Sequence, residues 1–251
     1  MKDEIETRFV KPDPFLQEYV DSFWMLKNHA AADKEVVVVP DSRVDLFFSY
    51  SPSKQFNCIL MGLGNQPTTL WLPARILSFA VSFNLLALEY VLKRPVADLV
   101  NGYTELPAGF WNITSGDLND FDQFQKSIAQ TIKEQLTLAT DDRKRNLFRL
   151  IYSSNGSISV NDLSEKVFWS SRQINRYFKS WFGISLKSYC NIVRFRASFQ
   201  QIAEGRLFPE ENFADQPHFI RQIRKLSGVS PKNLFKNQND RFVQFSPFRK
   251  K

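Results

Sequence analysis

Residues 159–185 read SVNDLSEKVFWSSRQINRYFKSWFGIS. Leu163 and Val167 fall four apart on one face, a Ser170-Ser171 step follows, and Ile174, Phe178 and Trp181 recur at helical spacing until Gly183 ends the run. The pattern predicts a helix to about Phe168, a tight turn, and a second helix capped by Ser170 or Ser171. On that second helix Arg172, Asn175, Arg176 and Lys179 share the face opposite the apolar row.

Sliding the chain by 45 residues, from Gly183 to Gly228, repeats the unit. Phe168 lands on Phe213, Arg176 on Arg221, Ser185 on Ser230, Ile174 on Phe219, Phe178 on Ile223 and Lys179 on Arg224. An internal repeat of one supersecondary unit, with arginine, lysine and amides opposite each apolar row, suits a groove lined by phosphates and base edges.

The run FADQPHFIRQIRKLSGVSP, residues 213–231, resembles the signature of AraC-type (AraC/XylS) transcription regulators. Their DNA-binding domain has two helix-turn-helix units joined by a long helix, and the likeness covers roughly the last 100 residues. By position the resemblance implies base reading by Ser171, Arg172, Asn175 and Arg176, with Lys179 nearer the phosphates and Gln173 also among the DNA-binding residues. Arginine can grip guanine O6 and N7 with two donors, and asparagine can do the same for adenine. Leu186 to about Ala203 resembles the connector that sets the two units about one turn of DNA, ~34 Å, apart. Arg194 and Arg196 lie on it, and one of them is expected to be structural.

The second copy departs from the pattern. Its supporting helix should lie at residues 205–213, GRLFPEENF, where an interior proline costs ~3 kcal/mol or more. A turn is expected there instead. Asp215 can cap the following helix, and Gln216, His218, Arg221, Arg224 and Lys225 remain available to DNA. Pro217 and Ile220 replace polar readers, and Glu210 with Glu211 repels phosphates, so this unit is expected to clamp the backbone more than it reads sequence.

Charge divides along the chain. Residues 141–251 hold 21 Lys and Arg against 9 Asp and Glu, whereas residues 1–140 hold 12 against 17. A nucleic-acid reader fused to a non-binding module has this balance, and so has a plain solvated basic surface. The expected domains are accordingly 1–140 for sensing or dimerisation and 141–251 for DNA binding. MKDEIETRF has no apolar signal core, and Cys58 and Cys190 lie far apart, which together predict a protein of the reducing cytoplasm with no membrane span.

In the acidic half, short apolar runs separated by turns predict an antiparallel sheet or barrel. They are Val36–Val39, Val44–Tyr50, Phe56–Met61, Thr69–Leu72 and Ile76–Phe83, with Pro40-Asp41-Ser42 as a turn; Phe15–Leu26 opens as a helix or strand around Trp24. The WM…VVVVPDSRVDLFF pattern resembles the cupin-like modules found before this DNA-binding domain, over roughly the first 110 residues. The fold class is thus α+β: a cupin-like barrel with flanking helices, then an all-α domain. A metal cupin needs clustered histidines with a carboxylate; His29 stands alone here, so no cofactor, metal or catalysis is expected. Asp41, Arg43 and Asp45 line a pocket or form the solvent face of a turn and strand. Phe121, Phe124, Ile128, Ile132 and Leu136 form an amphipathic stripe that packs on the barrel or on a second chain. The implied partners are double-stranded DNA, an unidentified small-molecule effector, a second copy of the chain and RNA polymerase. The alternative is a small-molecule-binding or enzymatic cupin-like domain with a DNA-binding appendage.

Overall fold

The computed structural model describes residues 4–136, 139–210, 213–237 and 241–248. Period-two alternation builds its first half. Strands β1 (Ile5–Val10), β2 (Val20–Asn28), β3 (Lys34–Val38), β4 (Val44–Ser51), β5 (Lys54–Met61), β6 (Thr68–Leu72), β7 (Leu77–Phe83) and β8 (Tyr103–Leu106) follow in order. They pair antiparallel as one six-stranded sheet, β1-β2-β7-β4-β5-β8, and a separate β3-β6 ribbon. Along β4 the side chains of Val44, Leu46 and Phe48 are fully buried on one face, while Asp45 and Phe47 turn to the other. The expected antiparallel sheet or barrel is thus a six-stranded sheet with the β3-β6 ribbon facing it across a cavity. Strands β1 and β8 carry too few apolar residues to have been foreseen.

After β7 come α1 (Leu86–Tyr90), a 3-10 turn at Ala97–Leu99, and α2 (Phe121–Gln135). Asp120 caps α2 by accepting bonds from the backbone N–H groups of Asp122 and Gln123. The α2 stripe lies on the sheet of its own chain, with Phe124 edge-on to Phe48 at 5.6 Å and Phe121 edge-on to Phe79 at 5.1 Å. Of the two covers open to this stripe, the sheet of its own chain takes Phe121, Phe124, Ile128 and Ile132, all of which are buried.

The second half is helical: α3 (Asp142–Ser153), α4 (Val160–Val167), α5 (Ser171–Phe182), α6 (Leu186–Ala197), α7 (Phe199–Ala203), α8 (Gln216–Ser227) and α9 (Pro231–Lys236). Helices α4 and α5 are separated by the three residues 168–170, Phe168 closing α4 in a left-handed conformation at φ 52°. Their core is aromatic, Phe148 meeting Tyr177, Phe178 and Phe182 within 6.4 Å. The buried row on α5 is Ile174, Tyr177, Phe178 and Phe182, with Trp181 only half-buried. The connector is nearly continuous, interrupted between α6 and α7 at Ser198 alone. In the second unit no α-helix lies between Ala203 and Gln216 among the described residues, so the supporting helix gives way to a loop as the Pro209 region predicts. Glu211 lies outside the described residues.

The chain then returns to the first half. Phe245 is buried against Phe199, Phe242 bridges to Val37, and the Gln244 side chain bonds both backbone groups of Val39. The basic tail end, Arg249, Lys250 and Lys251, lies outside the described residues.

Candidate nucleic-acid interface and the N-terminal cavity

The start of α5 is fixed by a reciprocal cap. Ser170 Oγ accepts from the Gln173 N–H, and Gln173 Oε1 accepts from the Ser170 N–H at 3.0 Å and from its hydroxyl at 2.7 Å. Gln173 is thereby engaged in holding the helix. Asn175 is engaged likewise: its amide donates to the Ser171 carbonyl at 3.0 Å, and its Oδ1 accepts from the Leu186 N–H at 3.3 Å, stitching α5 to α6. Ser171 opens the helix half-buried. Arg172 and Arg176 stay exposed, and neither forms an ion pair with any described residue. Lys179 is exposed and reaches the Gly183 carbonyl at 3.4 Å.

Helix α8 follows the same division. Asp215 accepts from the His218 N–H at 2.7 Å, His218 Nδ1 accepts from the Ala214 N–H at 3.3 Å, and Gln216 donates to the Leu207 carbonyl at 3.1 Å. Arg221, Arg224 and Lys225 project to solvent. In both helices, then, the short polar side chains secure the start while the long cations are exposed.

Both helices end on the first half of the chain. Gly183 has φ +73°, and a Cβ there would lie 2.6 Å from the Ala97 carbonyl oxygen and 2.6 Å from Val100 Cγ2. Gly228 has φ +76°, with Pro67 Cγ at 3.4 Å from such a Cβ. The loops carrying these contacts are tied together, Asn65 N–H donating to Asn101 Oδ1 at 2.8 Å and Asn101 Nδ2 to Asn65 Oδ1 at 2.9 Å. The C-terminal ends of α5 and α8 thus rest on one support.

A second bridge is ionic. Asp21 on β2 meets Arg43 at 3.1 Å and Arg196 of α6 at 2.9 Å. Burial alone would raise the Asp21 carboxyl, but Arg43, Arg196 and Lys11 outweigh it and hold the group far below the usual range. The Arg43 guanidinium lies over the Tyr152 ring, and the Tyr189 hydroxyl donates to the Ser42 carbonyl at 3.2 Å. Nearby, Lys144 of α3 and the Tyr177 hydroxyl both bond Glu89 of α1. Of the two connector arginines, Arg196 makes this bridge, while Arg194 donates to the Gly156 carbonyl at 2.8 Å.

Between the sheet and the β3-β6 ribbon is a cavity of about 520 Å³, within the range of small-molecule sites. Trp24, Leu26, Phe47, Ile59 and Leu70 give it an apolar wall, and Asp41 and Asp45 project into it. Arg196 and Phe199 line it from the helical half. Asp45 accepts from the Ser82 hydroxyl, which also accepts from Trp24 Nε1 at 3.0 Å. Burial, reinforced by Asp41, pushes the Asp45 carboxyl up to about 7, against the bonds from Ser82 and Trp24. Burial raises Asp41 as well. Of the trio singled out in the sequence, Asp41 and Asp45 reach the cavity and Arg43 is buried in the ionic bridge.

The description "Domain of unknown function (DUF6597)" belongs to the family that matches residues 8–105. No curated protein matches the chain. Among solved structures, the chain is similar to the apo form of a ToxT variant from Vibrio cholerae, at 13% identity and a TM-score of 0.43 over 92% of this chain and 96% of that one. It is also similar to ToxT from Vibrio cholerae bound to an unsaturated fatty acid, at 13% identity and a TM-score of 0.39 over 92% and 94%.

Sequence reasoning overlooked Asp21 and Glu89. Asp21 stands within the apolar run YVDSFWML and Glu89 within LLALEYVL, and an acid so enclosed signals a buried partner. Among the described residues no group of three or more His, Cys, Asp or Glu is placed to hold a metal ion, and no helix is long and apolar enough to cross a membrane.

Proposed function

We propose that the chain is a sequence-specific, duplex-DNA-binding transcription regulator of the AraC type, with residues 141–251 binding DNA and residues 1–140 answering to an effector in the cavity. The observation that carries the reading is on α5. Arg172 and Arg176 stand exposed and without ion-pair partners among the described residues, on a helix whose opposite face is buried and whose start is locked by a reciprocal cap. A rigid helix with free guanidinium groups is what bidentate reading of guanine in a major groove requires. Lys179 takes phosphate, and Arg221, Arg224 and Lys225 on α8 grip the backbone. Asn175 and Gln173 set the helix and reach bases only if they exchange their present bonds for them; Gln216 and His218 stand in the same position on α8, and Ser171 at the helix start faces the bases with its hydroxyl.

The Asp21–Arg196 bridge and the shared support under α5 and α8 give the first half a route to the second. A ligand touching Arg196 or Phe199 in the cavity alters the setting of the connector, and hence of the two recognition helices. RNA polymerase and a second copy of the chain are further partners of such a regulator.

Selection of bound duplexes from a random pool tests the reading. It should enrich one site, whose affinity falls steeply with salt because phosphate contacts release counterions. Equal recovery of all sequences, or preference for single strands, contradicts it.

A further inference from the structure

Four of the large aromatic side chains that the chain leaves in solvent gather at one place. Trp71 is 65% exposed, Tyr103 59%, Tyr50 48% and Phe9 42%. They come from four strands, β6, β8, β4 and β1, and all four line the cavity between sheet and ribbon. Exposed aromatics carry a cost in water that folding does not repay, and four of them, spread from one edge strand of the sheet to the other and onto the ribbon, border the same cavity.

The inner wall carries the complementary feature. The cations that line the cavity, Lys11 and Arg196, are both bonded to Asp21, which Arg43 holds as well. Asp41 and Asp45 have no cation within ion-pair distance among the described residues. Asp41 accepts only the Arg43 backbone N–H at 3.1 Å, and Asp45 the Ser82 hydroxyl. Arg43 and Arg196 lie near Asp41 but are paired with Asp21, so burial still disfavours the charged forms of Asp41 and Asp45, and a cation entering the cavity relieves that cost.

We propose that this cavity binds an amphipathic organic amine, its ammonium group against Asp41 and Asp45 and its apolar body along the wall to the ring of Phe9, Tyr50, Trp71 and Tyr103. The inference rests on reading the first half as the effector-binding half, and it names the class of that effector. Aromatic faces attract cations, and the carboxylates supply the full charge. A carboxylate ligand would instead meet two acids whose neighbouring cations are already engaged. An inorganic cation would lack ligands, as no group of three or more metal-binding side chains is present among the described residues.

Decylamine, decanoic acid and decan-1-ol, titrated separately into the full chain at about pH 8 and followed by calorimetry and by the fluorescence of Trp24 and Trp71, test the proposal. Decylamine should bind about tenfold or more tighter than either of the others. Asp45→Asn and Asp41→Asn should each remove about tenfold of that affinity and bring the amine close to the alcohol. Trp71→Ala, at an exposed position where folding is not in question, should weaken the amine about threefold or more. Decanoic acid binding as tightly as the amine, indifference of the amine to the Asp variants, or no binding of any of the three overturns the proposal. Duplex binding measured on the same preparations separates the two readings. Retained duplex binding with no amine preference removes this inference alone, and loss of sequence-selective duplex binding removes the regulator reading.

Discussion

At the scale of single residues, the site separates side chains by length. Short polar groups cap and stitch, while long cations reach outward; of these, Arg176 with its planar fork is assigned to bases and Lys179 to phosphate, so the two should differ when truncated. Lys179→Ala should weaken all duplexes by a similar factor and lower the salt slope by about one. A loss confined to one base pair in a binding-site series would contradict the phosphate assignment. Asp45 gives a prediction in pH. Its carboxyl titrates at about 7 in the folded chain, above the ordinary carboxylate value, and the charged groups facing it are Asp41 and Asp21. A raised folded value means that the folded state holds the proton more tightly, so the stability tied to that proton is complete below about pH 4 and is lost as pH rises through about 7. Asp45→Asn removes this dependence. In thermal melts across pH the variant should become the more stable protein above pH 7 and lose its advantage in acid; parallel curves would refute the assignment.

At the scale of elements, helix boundaries were legible because they rest on local chemistry. Ser159, Ser170, Ser185 and Asp215 all cap helices by bonding a backbone N–H in the first turn, whereas α9 and its cap Ser230 were not foreseen. The missing supporting helix was legible too, since Pro209 forbids it on backbone grounds alone. Strands β1 and β8 were not. Their apolar residues are few, and their place depends on pairing with distant β2 and β5, which no local period encodes. The same limit hid the role of Gly183 beyond capping. Its sequence position announces a left-handed helix end, whereas its closeness to Ala97 and Val100 is a fact of tertiary packing. Gly183→Ala should cost the left-handed penalty of ~1–2 kcal/mol and a further ~1–3 kcal/mol of overpacking. Gly228→Ala, with Pro67 at ordinary contact distance, should cost the first of these alone. Denaturant titrations giving equal losses for the two would contradict the packing at Gly183.

At the scale of the whole molecule, the halves are joined by the Asp21 bridge, by Glu89, by the glycine contacts and by the returning Phe242–Gln244 segment. The charge division in the sequence foretold two kinds of surface and nothing of this joint. Within the bridge the partners are unequal. Removing Asp21 leaves Arg43, whose side chain is only 8% exposed, without its carboxylate, whereas removing Arg196 leaves Asp21 still paired with Arg43. Asp21→Ala should therefore cost ~3–5 kcal/mol and Arg196→Ala clearly less; the reverse order in denaturant unfolding would argue against the bridge as described. The central claim concerns α5, and it is tested most directly by comparing wild type with Arg172→Ala and Arg176→Ala on the selected duplex and on single-base variants of it. Each substitution should cost ~1–3 kcal/mol on the selected site and relax discrimination at one base position. Unchanged affinity and unchanged base preference in both variants would contradict the claim that this helix reads DNA.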